Sequence, residues 1–146
     1  MIGTRILLAE DQPHVLQFLR LFPEHKYDVV GAVQDKRMLL TAAAVLKPNI
    51  VVVDIDLPKL NGMEVIRQLR TIVPTCRVVL TSAHAEPERM AEAYSAGVSA
   101  YLVKEPFLSW MLAIRTIIDT PQWAEEWRPI PPIENLDLTT YEYSMP

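Results

Sequence analysis

The chain has a single cysteine, Cys76, and that scarcity sets the first limits. One thiol supports neither a disulfide framework nor a thiolate metal cluster, so a reducing compartment is expected. Positive charge is also short: 14 Lys and Arg face 18 Asp and Glu, for a formal net charge of −4. That balance lacks the basic footprint on which DNA or RNA binding depends. No apolar stretch approaches the ~20 residues of a membrane span. The apolar run near the N-terminus is too short for a signal peptide, because Glu10 and Asp11 cut it off. No repeat occurs beyond an alternation of strand-like and helix-like segments. These absences leave a soluble, cytoplasmic chain as the expectation, with no membrane partner and no nucleic-acid contact by this domain.

What is present fits one folded domain. The chain has 146 residues, half of them hydrophobic and 22% charged. That is enough to bury a sizeable core and too apolar for disorder. Five apolar, β-prone runs read as strands: Thr4 to Ala9, Asp28 to Val33, Ile50 to Val53, Arg77 to Thr81 and Ser99 to Val103. Five segments of helical periodicity alternate with them. The first runs from Pro13 to Leu21, with Val15, Leu16, Phe18, Leu19 and Phe22 on one face. Asp11 or Gln12 can cap it, and Pro13 suits a first turn. The second is Asp35 to Leu46, with Met38, Leu39, Ala42, Ala43 and Leu46 facing inward and Asp35 as its cap. It stops before Pro48. Met63 to Ile72, Pro87 to Ala96 with Gly97 as its C-terminal cap, and Phe107 to Ile118 complete the set. A fivefold βα alternation with short loops predicts an α/β fold: a doubly wound parallel sheet with helices on both faces.

Composition changes after Asp119. Five of the twelve prolines lie between Pro121 and Pro146, with Trp123 and Trp127 among polar residues. The segment 120–146 reads as a linker or irregular tail.

The residues that carry chemistry follow the strands. Glu10 and Asp11 follow the first, Asp54 the third, Ser82 the fourth and Lys104 the fifth. In a parallel sheet these ends share one edge, where ligands of open α/β sheets bind. Three carboxylates, one hydroxyl and one ammonium then converge. Two unit charges ~4 Å apart repel by roughly 4 kcal/mol at an effective dielectric of 20. The cluster therefore keeps a proton or takes a cation. Oxygen-only ligands favour Mg²⁺, with Mn²⁺ as the alternative, over zinc. A carboxylate beside such a cation and a lysine is a plausible phosphoryl acceptor.

At these residues the chain resembles the receiver domain of two-component response regulators. The matching pieces are Ile6-Leu7-Leu8-Ala9-Glu10-Asp11, Val53-Asp54-Ile55-Asp56-Leu57-Pro58-Lys59-Leu60-Asn61-Gly62, Val79-Leu80-Thr81-Ser82-Ala83, Ala96-Gly97 and Tyr101-Leu102-Val103-Lys104-Glu105-Pro106. Any one piece is weak; their combination in order is specific. The resemblance implies a flavodoxin-like sheet of order 2-1-3-4-5 with five helices over residues 1–119. It implies Asp54 as phosphoacceptor and Lys104 as the bridge between Asp54 and the phosphoryl group. Asp11 would bind Mg²⁺ directly, Glu10 mainly through water, and the Asp56 backbone carbonyl would be a further ligand. Tyr101 would be an aromatic that changes rotamer on activation. The switch hydroxyl is Ser82 by the family's spacing from Lys104, with Thr81 as the alternative. The implied partner is a sensor histidine kinase or phosphotransfer protein. The implied output surface is the fourth helix, fifth strand and fifth helix, taken to present Arg89, Tyr94, Tyr101, Trp110 and Arg115 to a partner or to a second copy in a homodimer.

The sequence departs from the family at two points. Glu10 stands where an aspartate is common and should keep metal binding. Glu105 separates Lys104 from Pro106, so the Lys104–Glu105 bond is expected to be trans, given the ~3–4 kcal/mol cost of a non-proline cis bond.

Plainer roles suit other residues. His14, His25 and His84 are scattered and suggest no metal centre, though His84 is near enough to affect hydrolysis. Trp110 reads as packing, Met63 and Met90 as fillers, and Gly62 as a backbone requirement. The Asp56 carboxylate could affect how long a phosphoryl group survives. Two other functions compete. Val51-Val52-Val53-Asp54-Ile55-Asp56 resembles the opening motif of haloacid-dehalogenase-type phosphatases, but no suitable acidic pair follows Lys104. A pseudo-receiver that docks partners without phosphorylation would not require the intact acid, hydroxyl and lysine set. The expectation is a phosphoacceptor switch and not a turnover enzyme. No effector pattern such as a helix-turn-helix is present, so a DNA-binding output domain would have to lie outside these residues.

Overall fold

The structure is a computed structural model that describes residues 4–10, 15, 17–18, 27–56 and 62–119. Five strands, β1 (Thr4–Ala9), β2 (Tyr27–Val33), β3 (Ile50–Asp54), β4 (Arg77–Ser82) and β5 (Ala100–Val103), form one sheet in the order β2-β1-β3-β4-β5. Every pairing is parallel, as the βα alternation predicts. β3 lies in the centre, and all of Ile50–Asp54 is buried. A strand covered on both faces must be apolar on both, which explains the unbroken Ile50-Val51-Val52-Val53 run.

Side-chain alternation divides the strands between two cores. Leu7, Val51, Val53, Val78 and Leu80 pack beneath helices Lys36–Leu46, Glu64–Ile72 and Pro87–Ala96. Ile6, Leu8, Ile50, Val52 and Val79 pack against helix Phe107–Asp119 on the opposite face. Val15 and Phe18 join that second core. These two and Gln17 are helical; the rest of the predicted Pro13–Leu21 helix lies outside the described residues. So do Asp11, the 57–61 part of the predicted loop and the 120–146 tail. Helices on both faces make the sheet doubly wound.

The caps follow the local chemistry. Asp35 accepts from the Met38 N–H at 2.8 Å and starts the second predicted helix as expected. Gly97, at φ +113°, ends Pro87–Ala96, and Gly62 holds φ +53° ahead of Glu64–Ile72. Met38 does not face inward: it is 50% exposed. Leu39 and Ala43 set the buried stripe four residues apart, and Met38 falls one helical step outside it. The pairing of β1 with β2 shifts between Ile6 and Leu7, where Val30 is the extra residue on β2.

The strand order places the site. From β1 the chain passes to β2 on one side, and β3 lies on the other. The carboxyl ends of β1 and β3 therefore flank the crevice where connections diverge, the usual ligand position of this architecture.

Candidate functional site

Glu10 directly follows β1, and its N–H donates to the Val33 carbonyl at 3.2 Å. Asp54 is the last residue of β3 and is 2% exposed. It lies within the strand, so the sheet itself fixes its backbone. Lys104 directly follows β5, and its N–H donates to the Ser82 carbonyl at 2.9 Å, extending the β4–β5 ladder by one bond. Three separate strands thus supply three charged side chains to one edge.

The Lys104 ammonium forms an ion pair with Asp54 Oδ2 and lies 3.8 Å from Glu10 Oε2. The side chains of Lys104, Glu10 and Asp54 are 12%, 2% and 3% exposed. The other Asp54 oxygen, Oδ1, accepts from the Asp56 N–H at 2.9 Å. The Lys104 Nζ also sits 5.4 Å from the centroid of the Trp110 ring, within cation–π range. Phe107 meets Trp110 edge-on, with ring centroids 5.8 Å apart. The ammonium is held between two carboxylates and an aromatic face.

The formal charge of Glu10, Asp54 and Lys104 is −1, before Asp11 is counted. Buried carboxylates in excess of cations call for compensation. The donors on this edge are oxygens, the ligand type of a hard divalent cation. Among the described residues, no three His, Cys, Asp or Glu side chains are grouped to hold a metal, and Asp11 lies outside them. Glu10 and Asp54 are the described side chains that fit Mg²⁺.

The two candidate hydroxyls are engaged differently. Thr81 and Ser82 are both fully buried at the end of β4. The Thr81 hydroxyl donates to the Val53 carbonyl at 3.5 Å, inside the sheet. Ser82 Oγ accepts from the His84 N–H at 3.1 Å, in the loop that leads to Pro87–Ala96. Tyr101 is 1% exposed, and its hydroxyl donates to the His84 carbonyl at 2.6 Å.

Two members of the expected exposed surface are therefore corrected. Tyr101 and Trp110 are buried, each 1% exposed, and do not line it. Tyr101 belongs to the core of β3 and β4, and its hydroxyl finds its partner in the loop instead of in water. Trp110 is packed as the sequence predicts, inside the opposite core. The cis bond near Lys104 is Glu105–Pro106, so Lys104–Glu105 is trans as expected.

Sequence reasoning did not find the Trp110 face beneath Lys104, or the contacts of the Asp56 side chain. Asp56 Oδ2 accepts from the Ala83 N–H at 2.8 Å, and Oδ1 lies 3.5 Å from Arg89. The partners are 27 and 33 positions away, so no local spacing marks them. Among the described residues, no helix is long and apolar enough to cross a membrane.

Comparison with known proteins gives a consistent picture. Residues 6–113 match the model of the response regulator receiver domain. The chain is 30% identical over 107 residues to chemotaxis protein CheY of Thermotoga maritima, covering 73% of this chain and 88% of that protein. It is 35% identical over 106 residues to the C4-dicarboxylate transport transcriptional regulatory protein DctD of Pseudomonas aeruginosa, but covers 23% of its length. A LuxR-family two-component response regulator from Aurantimonas superposes with a TM-score of 0.67 at 27% identity, covering 85% of this chain and 94% of that one.

Proposed function

This chain belongs to the response regulator receiver domain family, and on that premise we propose that it accepts a phosphoryl group on Asp54 from a histidine kinase or phosphotransfer protein in the cytoplasm. Residues 1–119 form the receiver, and 120–146 form a linker or tail. The observation that carries the proposal is the buried Asp54–Lys104 ion pair with Glu10 beside it, at the carboxyl edge of a parallel sheet.

A carboxylate oxygen of Asp54 attacks phosphorus while the P–N bond of the donor phosphohistidine breaks. The electron pair of that bond leaves with the imidazole nitrogen. Lys104 neutralises charge on the transferring oxygens, and the strand ends hold Asp54 fixed during attack. Glu10, Asp11, Asp54 and the Asp56 carbonyl would hold Mg²⁺, which when bound withdraws charge from the phosphoryl oxygens. Ser82 then donates its O–H to the modified side chain. Its loop and Tyr101 are already tied together through His84, so movement of one reaches the other. The fourth predicted helix, β5 and the last helix carry the change to a partner or to a second copy. Moving a two-state switch from 1:99 to 99:1 takes ~5.5 kcal/mol. Two or three charge-assisted hydrogen bonds at ~1.5–3 kcal/mol each supply that.

The test is labelling with a small phosphodonor in Mg²⁺. The parent should take up phosphate, Asp54→Asn should not, and EDTA should abolish uptake. Labelling that survives Asp54→Asn would overturn the proposal. Sustained release of phosphate from small phosphomonoesters would favour a phosphatase, and partner binding without labelling a pseudo-receiver.

A further inference from the structure

Trp110 lies beneath the ammonium on which the proposed chemistry depends. It belongs to the Phe107–Asp119 helix, and its N–H donates to the Pro106 carbonyl at 3.1 Å. Lys104 directly follows β5, so ring and ammonium issue from the two ends of one short connection. The Nζ sits over the indole, 5.4 Å from the ring centroid, while the Asp54 and Glu10 carboxylates supply its charged partners. Phe107 meets the same indole edge-on.

Packing alone does not call for an indole here. Its Nε1 is buried and has no hydrogen-bond partner among the described residues. A buried donor without an acceptor costs stability, and phenylalanine or leucine would fill a core position without that cost. What the indole adds is the strongest π face among the side chains. That face is turned to an ammonium whose side chain is only 12% exposed.

We propose that Trp110 is a positioning residue for phosphoryl transfer: its π face seats the Lys104 ammonium at Asp54, so that the charge is in place before the transferring oxygens arrive. The inference rests on Asp54 being the acceptor.

A lysine stem is flexible and rich in rotamers, and an unseated ammonium would have to find its place during each transfer. The seat removes that search. The ring also keeps water from its side of the ammonium, where water would screen the charge. At this distance the ring attracts the charge without taking an N–H as an oxygen acceptor would. The ammonium donors stay available to Asp54 and to the phosphoryl oxygens.

The experiment uses the full chain with Trp123→Phe and Trp127→Phe, so that Trp110 is the one indole. Fluorinated tryptophans are incorporated in a series from the plain indole to 5-fluoro, 5,7-difluoro and 5,6,7-trifluoro forms. Fluorine drains the π face and keeps the shape of the side chain. The initial rate of labelling by acetyl phosphate in Mg²⁺ should fall stepwise along the series, by about tenfold at its end, within the range a desolvated cation–π contact supplies. With Lys104→Met added, the residual rate should be the same for every indole. A rate in the Lys104 chain that does not vary with fluorination, or an equal fall with Lys104→Met, would overturn the positioning role and leave Trp110 as packing. A second measurement needs no phosphoryl transfer. The Lys104 ammonium protons, followed by NMR at low temperature, should exchange with water about tenfold faster in Trp110→Leu than in the parent. Trp110→Phe, which keeps a weaker π face, should lie between them. Equal exchange in parent and Trp110→Leu would overturn the seat. A chain that takes up no phosphoryl group overturns the acceptor role of Asp54 and the positioning role together, while the ammonium comparison still decides the seat.

Discussion

Lys104→Met isolates what the ammonium does for the fold. Methionine keeps most of the stem and its packing near Trp110, and removes the charge. Two carboxylates whose side chains are 3% and 2% exposed would then lose the ammonium that faces them. Breaking a buried pair from one side costs ~3–5 kcal/mol, because the remaining charge stays desolvated. The lower end applies here, since Lys104 is itself 12% exposed and water can follow it in. For a domain of this size ~3 kcal/mol corresponds to a melting temperature lower by about 10 °C. Asp54→Asn in the same chain removes one of the stranded carboxylates. The double variant should therefore recover about 2 kcal/mol relative to the sum of the single changes, a coupling typical of residues in contact. The assay is urea unfolding of the four proteins in EDTA, so that no divalent cation substitutes for the ammonium. A Lys104→Met loss below about 1 kcal/mol, with additive double-variant stability, would refute the claim that a buried charge cluster organises this edge.

Two further outcomes follow from packing and burial. Gly97→Ala should cost about 1–3 kcal/mol in urea unfolding, since its φ of +113° strains any other residue and a Cβ would lie 2.9 Å from Arg70 Cγ. Burial pushes the Cys76 thiol from 9.0 up to about 12, with Arg70 partly opposing the shift. The folded chain then holds this proton where the unfolded chain has lost it, so stability should fall between pH 9 and about 12, by up to ~4 kcal/mol. A stability-against-pH curve over that range, compared with Cys76→Ala, checks it; identical slopes would show that the thiol is not responsible.

The sheet was legible because burial on both faces leaves a plain trace in sequence. Ile50-Val51-Val52-Val53 is apolar at every position, the trace of a strand covered on both faces; its central place came from the strand order that the family resemblance implies, and acids that follow strands in a parallel sheet share an edge. Glu10, Asp54 and Lys104 meet as expected because strand ends in a parallel sheet leave little freedom. Ends of elements were less certain by a residue: Asp54 and Ser82 continue their strands, and Ser99 precedes β5 while its N–H bonds Val78. Met38 was misplaced because an apolar residue beside a buried stripe looks the same in sequence as one within it. Tyr101 and Trp110 were placed on a surface because the family motif fixes position, not rotamer. The Asp56–Ala83 bond had no trace at all, since a backbone N–H has no side-chain identity to recognise.

The contact between Lys104 and Trp110 gives the chain a built-in optical gauge. The ammonium that neutralises Asp54 rests 5.4 Å from the centre of an indole, and that indole is shielded from bulk water. Light emitted by a buried indole depends on the charges nearest to it. Any event that draws Lys104 away from its present seat alters the emission of Trp110 without a dye or a fused reporter. Trp123 and Trp127 are the other indoles in the sequence, and replacing both leaves a single emitter beside the charge partner of Asp54. Chemistry at a carboxylate that absorbs no useful light thus becomes visible through a side chain 56 positions away in the sequence.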